Sequence, residues 1–213
     1  MNIVPADLYT QMLMTQIRDR STASEKLKKS ITELGKLIGR KIWEDHCAQS
    51  SDVETPMRRV FSGVSSRLAT TVVISTRDDA SYFASGIASI FEGSVRGYMD
   101  FSGARGEEAL TAPIQAIELP SLSNNQAANL VIIAKSVLAT GCTAVTLANK
   151  ALEFYRPDKL ILASTFYSLR GVEEVSQQIY PRPDIYVLGE ADSLNNDGML
   201  IPGIGNLDER LSS

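Results

Sequence analysis

The sequence predicts an α/β fold in which a parallel sheet is flanked by helices. Four short runs rich in β-branched and apolar residues are the first sign of this fold, at 71–75, 130–134, 160–163 and 185–188. Continuous apolar runs are typical of strands that are covered on both faces, as in parallel sheets joined by crossover helices. The stretches between them are long enough to form those helices, which are predicted at 80–91, 142–155 and 171–180.

The N-terminal part predicts a long amphipathic helix. Thr22 and Glu25 have the spacing of a capping box, in which two side chains satisfy backbone N–H groups at a helix start. Apolar residues then recur at helical spacing, at Leu27, Ile31, Leu34, Ile38 and Ile42. We interpret this face as packing against the core or a second subunit. The only histidine, His46, has no nucleophile nearby in sequence and is interpreted as structural.

Length and composition predict one domain spanning 1–213, since 213 residues with 44% hydrophobic content can bury one sizeable core. A net charge of -4 argues against a broad nucleic-acid or membrane surface, although a small basic pocket for a phosphorylated metabolite stays compatible. Cys47 and Cys142 suggest no disulfide framework or metal site. The start lacks the pattern of a secretory signal, and no apolar stretch could span a bilayer. We therefore expect a soluble protein of the cytoplasm or an organelle stroma.

The segment 131–146 predicts a buried strand, a tight loop and a helix start. Gly141 permits close approach of the backbone, and the N–H groups of 139–143 can point at an anion. The hydroxyls of Thr140 and Thr143 can donate further hydrogen bonds. The spacing alone leaves two interpretations open, an anion site and an ordinary strand-to-helix turn.

The same segment resembles the PRPP-binding motif of phosphoribosyltransferases. Val131 to Ile133 followed by Val137 to Gly141 is similar to the uracil phosphoribosyltransferase version, whose strand leads into Asp-Pro-Met-Leu-Ala-Thr-Gly. Further similar stretches occur in the family's order: Arg18-Asp19 with Ser21-Thr22, Leu34-Gly35, Thr55-Pro56, Val72 to Arg77, Arg105 to Glu108 with Leu119-Pro120, and Asp192 with Leu194-Asn195, Gly198 and Ile201 to Gly205. The resemblance therefore covers nearly the whole chain.

This resemblance implies a fold, a reaction and a site. The fold would include a helical N-terminal segment and a small hood formed by both chain ends. The family transfers phosphoribose from PRPP to uracil, giving UMP and pyrophosphate with Mg²⁺. The implied 5′-phosphate cradle consists of Ala139, Thr140, Gly141, Cys142 and Thr143. Arg77, at the end of the segment from Val72, and Arg105, in a mobile flap at 100–127, would face the pyrophosphate as catalytic candidates. Backbone groups around Leu200 and Gly203 would read the base, and a homo-oligomer is expected.

Several departures from the family pattern fall on the PRPP site. Lys135 occupies the place of the acidic residue that contacts the ribose hydroxyls, and Ser136 replaces its neighbour. Lysine has only donors, so it cannot replace a carboxylate. Asp78 and Asp79 stand where the family has Ala-Gly, and Asn206 replaces a carboxylate near the C-terminus. We therefore expect a degenerate PRPP site with weak or lost catalysis, and Mg²⁺ as a cofactor only if activity survives.

One hypothesis links two of these departures. Runs 71–75 and 130–134 should be neighbours in the sheet, so we predict the Lys135 amine about 3 Å from Asp78 or Asp79. The alternatives are a solvated loop lysine and a rearranged active site in which Asp78 or Asp79 holds Mg²⁺. Three functions stay open: a working transferase, a non-catalytic regulator that binds a phosphate or nucleotide, and a scaffold that binds an unknown protein partner.

Overall fold

The structure, a computed structural model, describes residues 1–67, 69–101, 114–122 and 128–212. Its helices are α1 (Leu8–Arg18), α2 (Ser24–His46), α3 (Arg77–Ala80), α4 (Phe83–Ala88), α5 (Cys142–Phe154), α6 (Leu169–Gln178) and α7 (Leu207–Ser212). Its strands are β1 (Asn2–Val4), β2 (Ala48–Glu54), β3 (Val60–Ser66), β4 (Thr71–Thr76), β5 (Val95–Asp100), β6 (Ala116–Glu118), β7 (Leu130–Ala134), β8 (Val137–Leu138), β9 (Lys159–Ser164), β10 (Phe166–Tyr167), β11 (Asp184–Leu188), β12 (Ser193–Leu194) and β13 (Leu200–Ile201).

Seven of these strands form the central sheet, in the order β1-β11-β9-β7-β4-β5-β6. All neighbours are parallel except β5 and β6, which run antiparallel. The four predicted strands are confirmed and lie side by side, and β4 pairs with β7 as predicted, with Ser75 opposite Ala134. The pattern did not reveal β1, β5 and β6, since the first and last are only three residues long and β5 carries Arg96 and Gly97.

Alternate residues of the central strands enter two separate cores. Val73, Ile132 and Ile161 pack on the side covered by α1, α2 and α4, whereas Val72, Val131 and Leu160 pack beneath α5 and α6. Burial on both faces explains why these strands read as unbroken apolar runs. Helices on both faces bury the sheet, as the predicted α/β fold requires.

The long N-terminal helix is confirmed, but its predicted capping box is wrong. Helix α2 begins at Ser24 with Ala23 as its N-cap and no side-chain cap bond, and Glu25 instead pairs with Lys28 at 2.8 Å. Its predicted apolar face is buried throughout. His46 lies 3.0 Å from the Tyr186 hydroxyl, which agrees with the structural interpretation.

Two other helix predictions need correction. The predicted helix at 80–91 is two short helices, α3 and α4, because the chain turns at 81–82. Helix α6 begins at Leu169, two residues earlier than predicted, where the Ser168 hydroxyl accepts a hydrogen bond from the N–H of Gly171. The predicted excursion at 100–127 lies partly outside the described residues, and its described part includes strand β6.

Both chain ends form the predicted hood beside the sheet. Helix α7 packs against α2, and Arg210 donates to the backbone carbonyls of Ile17 and Ile204 at 2.6 and 2.7 Å. After the end of α2, strands β2 and β3 form an isolated ribbon that the pattern did not predict, with Phe61 and Val64 exposed. Within the described ranges, no helix combines the length and apolar character needed to cross a membrane.

Candidate functional site

A cavity of about 400 Å³ opens at the carboxyl ends of the central strands. Thr76 and Asp100 end β4 and β5, and Lys135 directly follows β7; all three line the cavity. The hood forms the opposite wall through Met199 and Ile204. Ligands of open parallel sheets bind in this place, beyond the carboxyl ends of the strands.

The predicted phosphate cradle forms one end of the cavity. Ala139, Thr140, Gly141 and Thr143 line it, whereas the Cys142 side chain is buried and does not. Gly141 is the N-cap of α5 with φ 88°, and no side chain caps this helix. The first-turn N–H groups of a thirteen-residue helix therefore face the cavity end without a capping side chain, which is the arrangement that binds anions.

Neighbouring segments hold this loop in place. The Ser168 hydroxyl donates to the carbonyl of Ala139 at 2.6 Å. A Cβ atom on Gly141 would lie 2.7 Å from the carbonyl oxygen of Gly171, so the loop and α6 pack too closely for any side chain at this position. Glycine at 141 is therefore required both by the left-handed backbone and by this contact.

The predicted ion pair of Lys135 is confirmed, and its partner is Asp79. The Lys135 ammonium donates to Oδ2 of Asp79 at 2.7 Å, and the two side chains are 16% and 0% exposed. The same oxygen accepts from the hydroxyl of Thr76 and the backbone N–H of Ser136, each at 3.3 Å. This buried carboxylate thus ties the end of β4 to the segment that follows β7.

The floor beneath this ion pair contains unsatisfied polar atoms. Oδ1 of Asp79 and the hydroxyl oxygens of Ser75 and Ser136 are buried without a hydrogen-bond partner among the described residues. Ser136 is 1% exposed and does not line the cavity. Unsatisfied buried groups cost free energy, so the Lys135 contact is the main compensation for burying Asp79.

Of the two catalytic candidates, Arg77 reaches the cavity, and Arg105 lies outside the described residues. The guanidinium of Arg77 donates to Oδ2 of Asp100 at 3.0 Å and lies 5.9 Å from the ring centroid of Tyr98. Of the described residues that line the cavity, the two cations, Arg77 and Lys135, are therefore already paired with carboxylates. Neither offers the unpaired charge that a diphosphate would need.

Among the described residues, the cavity lining has more carboxylates than cations. Its charged members are Arg77, Lys135, Asp78, Asp100, Asp197 and Asp208. Burial in the cavity wall and the nearby carboxylate of Asp208, partly offset by the charge of Lys135, together raise the pKa of Asp78 to about 6. These carboxylates would repel a second strongly negative group of a ligand whose first phosphate lay in the cradle.

Replacing Asp78 with asparagine is expected to stabilise the protein in a pH-dependent way. Folding raises the pKa of Asp78, so the folded state holds this proton more tightly and loses stability as the pH rises from about 4 through about 6. The variant should therefore melt at a higher temperature than the wild type at pH 7.5, and the difference should vanish near pH 4.

Thermal unfolding at both pH values measures this effect, with Asp197→Asn as the matched control from the same cavity. Equal melting temperatures of Asp78→Asn and the wild type at pH 7.5 would contradict the assigned environment of Asp78.

The hood side of the cavity contains part of the predicted base site. Leu200 lines the cavity, but Gly203 does not; its carbonyl accepts from Arg18 at 2.9 Å and its N–H donates to Asp192 at 3.3 Å. The Asn206 amide donates to Glu209 at 2.7 Å and lies outside the lining. Recognition of the base by backbone groups around Leu200 and Gly203 stays a prediction.

Sequence reasoning missed several lining residues. Asp100, Asp197 and Met199 all reach the cavity. The position of Asp100 at the carboxyl end of a strand could have indicated it, but β5 was not recognised as a strand. The other two come from a turn between β12 and β13, whose placement depends on how the hood folds.

The donor set does not suit a magnesium ion held by protein groups alone. Lys135 already holds the Asp79 carboxylate, which leaves Asp78 beside Asp208. Within the described part of the chain, no group of three or more His, Cys, Asp or Glu side chains is placed to hold a metal ion. A hard cation such as Mg²⁺ would depend on oxygens of its own ligand.

The parallel sheet, the cavity at its carboxyl edge and the cradle loop define a phosphoribosyltransferase-type protein. The chain belongs to the uracil phosphoribosyltransferase family, because the sequence profile of that family matches residues 4–212. The uracil phosphoribosyltransferase of Pyrobaculum islandicum is 25% identical over 208 residues, which cover 97% of this chain and 96% of that protein.

Other known proteins agree with this assignment. The uracil phosphoribosyltransferase of Sulfolobus acidocaldarius is 26% identical over 204 residues, which cover 92% of this chain and 92% of that protein. The solved structure of the AQ2163 protein from Aquifex aeolicus superposes with a TM-score of 0.78 at 23% identity, covering 98% of this chain and 97% of that one. This likeness shows that the two chains share a fold.

Proposed function

We propose that this family member binds a uracil nucleotide with a single phosphate, such as UMP, and does not transfer phosphoribose from PRPP. The observation that carries the proposal is the buried ion pair between Lys135 and Asp79, 2.7 Å apart at the cavity wall. In the family, an acidic residue stands at the place of Lys135 and contacts the ribose of PRPP. Here that place is taken by a cation that the protein itself neutralises.

The cradle supports binding of one phosphate. Its glycine, its two threonines and the start of α5 are all present at one end of the cavity. A helix start favours an anion through its N–H groups and its dipole, whichever molecule carries the phosphate. A volume of about 400 Å³ lies within the usual range for small-molecule sites. The phosphate-binding half of the site, which is retained, thus suits UMP, the product of the family reaction.

The charges beyond the cradle argue against PRPP. A pyrophosphate group next to the ribose would approach Asp78 and Asp208, and the two nearby cations are already engaged. Like charges a few ångströms apart repel strongly where water is partly excluded. UMP lacks that pyrophosphate, so it avoids the repulsion while keeping the phosphate that the cradle accepts.

Titration calorimetry tests this proposal with three ligands: UMP, uridine and PRPP with Mg²⁺. We expect UMP to bind, uridine to bind far more weakly because it has no phosphate, and PRPP to bind at least about tenfold more weakly than UMP, a difference of about 1.4 kcal/mol. PRPP binding as tight as that of UMP would favour a working transferase. Absence of binding for all three would favour a scaffold that uses only the fold, with self-association or a protein partner as its role.

Restoring the family residues is expected to recover PRPP binding. The triple variant Lys135→Asp, Asp78→Ala and Asp79→Gly reinstates the acidic ribose contact and removes both carboxylates from the diphosphate side. The changes must be made together, because Lys135→Asp alone would place a second carboxylate beside the buried Asp79. We expect PRPP affinity to rise at least about tenfold and UMP affinity to change little.

This triple variant has the same net charge as the wild type, since one lysine becomes acidic while two acids are removed. A gain in PRPP affinity therefore cannot come from a general change of charge. Calorimetry with PRPP and Mg²⁺ measures it, and the surface change Lys36→Asp serves as a control for altered local charge away from the cavity. Unchanged PRPP affinity in a folded triple variant would count against the proposed cause of the lost site.

A further inference from the structure

A bidentate ion pair joins the two ends of the chain behind the hood side of the cavity. Arg18, the last residue of α1, donates from Nη1 and Nη2 to the two carboxylate oxygens of Asp192 at 2.9 and 2.8 Å. The side chains are 24% and 5% exposed, and the guanidinium carbon lies 4.9 Å from the ring centroid of Phe166. The planar fork and the aromatic contact together fix the direction of this pair.

The same pair engages both polar backbone groups of Gly203. Nη1 of Arg18 also donates to the carbonyl of Gly203 at 2.9 Å, and Oδ2 of Asp192 accepts from its N–H at 3.3 Å. Gly203 has φ 61°, and a Cβ atom there would collide with the carbonyl of Leu200. The turn of the segment 200–205 therefore depends on a glycine and on one ion pair.

The ion pair itself does not touch the cavity. Leu200, Ile204 and Gly205 line it, whereas Arg18, Asp192 and Gly203 do not. Arg210 supports the segment separately, through the carbonyl of Ile204 at 2.7 Å. The hydrogen bonds of Arg18 and Asp192 to Gly203 therefore connect this ion pair to the cavity through the segment 200–205.

We propose that Arg18 and Asp192 are positioning residues that set the base-dependent part of nucleotide affinity by fixing the segment 200–205. This inference rests on the proposed function, because it concerns how the same cavity selects its ligand. The phosphate cradle belongs to other elements, β8 and α5. Among the described residues, no hydrogen bond joins either side chain to it, and Arg18 adjoins it through Phe166, whose strand β10 pairs with β8. Removing the ion pair should thus weaken recognition of the base and leave phosphate binding unchanged. Small displacements of positioning groups are enough to weaken recognition strongly.

The test alters side chains only. The backbone N–H of Asp192 donates to the carbonyl of Tyr167 at 2.7 Å, and the adjacent Ser168 holds Ala139 of the cradle, so the backbone here must stay intact. Asp192→Asn keeps the shape and removes the charge, and Arg18→Lys keeps the charge and removes the fork. Glu153→Gln, which removes an exposed ion pair with Lys150, is the matched control.

Calorimetry with UMP and with ribose 5-phosphate separates the two parts of the affinity. We expect Asp192→Asn and Arg18→Lys to weaken UMP binding about tenfold to a hundredfold, while ribose 5-phosphate affinity stays unchanged and Glu153→Gln behaves as the wild type. Equal losses for both ligands, or no loss for UMP, would overturn the inference. A wild type that binds both ligands equally would also overturn it, because no base-dependent affinity would exist.

Amide hydrogen exchange supplies a readout that does not depend on ligand. We expect faster exchange at 198–205 in Asp192→Asn, with exchange in β7 and β9 unchanged. Uniformly faster exchange would indicate a general loss of stability, and unchanged exchange at 198–205 would show that the pair does not fix the segment; either result overturns the inference. Failure of the wild type to bind any phosphorylated ligand would instead refute the proposed function.

Discussion

Replacing Lys135 with methionine is expected to lower the free energy of unfolding by roughly 3 kcal/mol, among the largest effects of any single change in this chain. Methionine has a similar length but no charge, so the fully buried Asp79 carboxylate would lose the cationic partner that it has among the described residues. The remaining donors to that oxygen, Thr76 and Ser136, each lie 3.3 Å away and cannot replace an ammonium. Chemical denaturation with a linear extrapolation measures the loss.

Two further variants make this prediction specific. Lys36→Met removes an exposed ion pair with Glu33, in which about a third of each side chain is accessible to solvent. This change should lower the free energy of unfolding by less than about 1 kcal/mol. Combining Lys135→Met with Asp79→Asn should recover part of the loss, because the buried charge is removed together with its partner. A Lys135→Met protein as stable as Lys36→Met would show that the ion pair is not part of the folded structure.

Replacing Gly141 with alanine is expected to remove most of the phosphate affinity and to destabilise the fold by about 2 kcal/mol. Position 141 has φ 88°, and the new Cβ atom would lie 2.7 Å from the carbonyl oxygen of Gly171 and 3.1 Å from Cβ of Glu174. The cradle loop would have to move away from α6, which would turn the N–H groups of α5 away from the phosphate. Titration with UMP and ribose 5-phosphate measures the loss for both ligands.

Gly93 provides the matched control for this change. It also has a positive φ, 68°, but a Cβ atom there would meet nothing within 4 Å. Gly93→Ala should therefore cost only the backbone strain of about 1 kcal/mol and leave ligand affinity unaltered. If the two variants lose equal stability and both bind UMP normally, the close packing of the cradle against α6 has no role in binding.

The central part of the fold and of the site could be predicted from sequence because both depend on simple rules. Apolar runs identify strands buried on both faces, and parallel strands place their carboxyl ends together. The contact of Lys135 with Asp79 followed from those two rules, since Lys135 directly follows β7 and Asp79 is the third residue after the adjacent strand β4. Choosing Asp79 over Asp78 required the structure, because it depends on the turn of α3.

Other features depend on contacts that local patterns do not encode. The ribbon of β2 and β3 mixes polar and apolar residues and buries neither face, so it has no periodic signal. Arg18 and Asp192 are separated by 174 residues, and nothing near either one in sequence indicates the other. The capping box of Thr22 and Glu25 failed because the N-cap is Ala23, one residue later than predicted, and Glu25 pairs with Lys28.

Conversion of uracil to UMP tests the central claim most directly. The wild type is mixed with PRPP, Mg²⁺ and labelled uracil, beside the triple variant that carries the family residues at 78, 79 and 135. With Lys135 bound to Asp79 at the cavity wall, we expect the wild type to form no UMP above the rate without protein, although calorimetry detects UMP binding. Sustained formation of UMP and pyrophosphate by the wild type would show that this ion pair leaves the site open to PRPP, and would contradict the account.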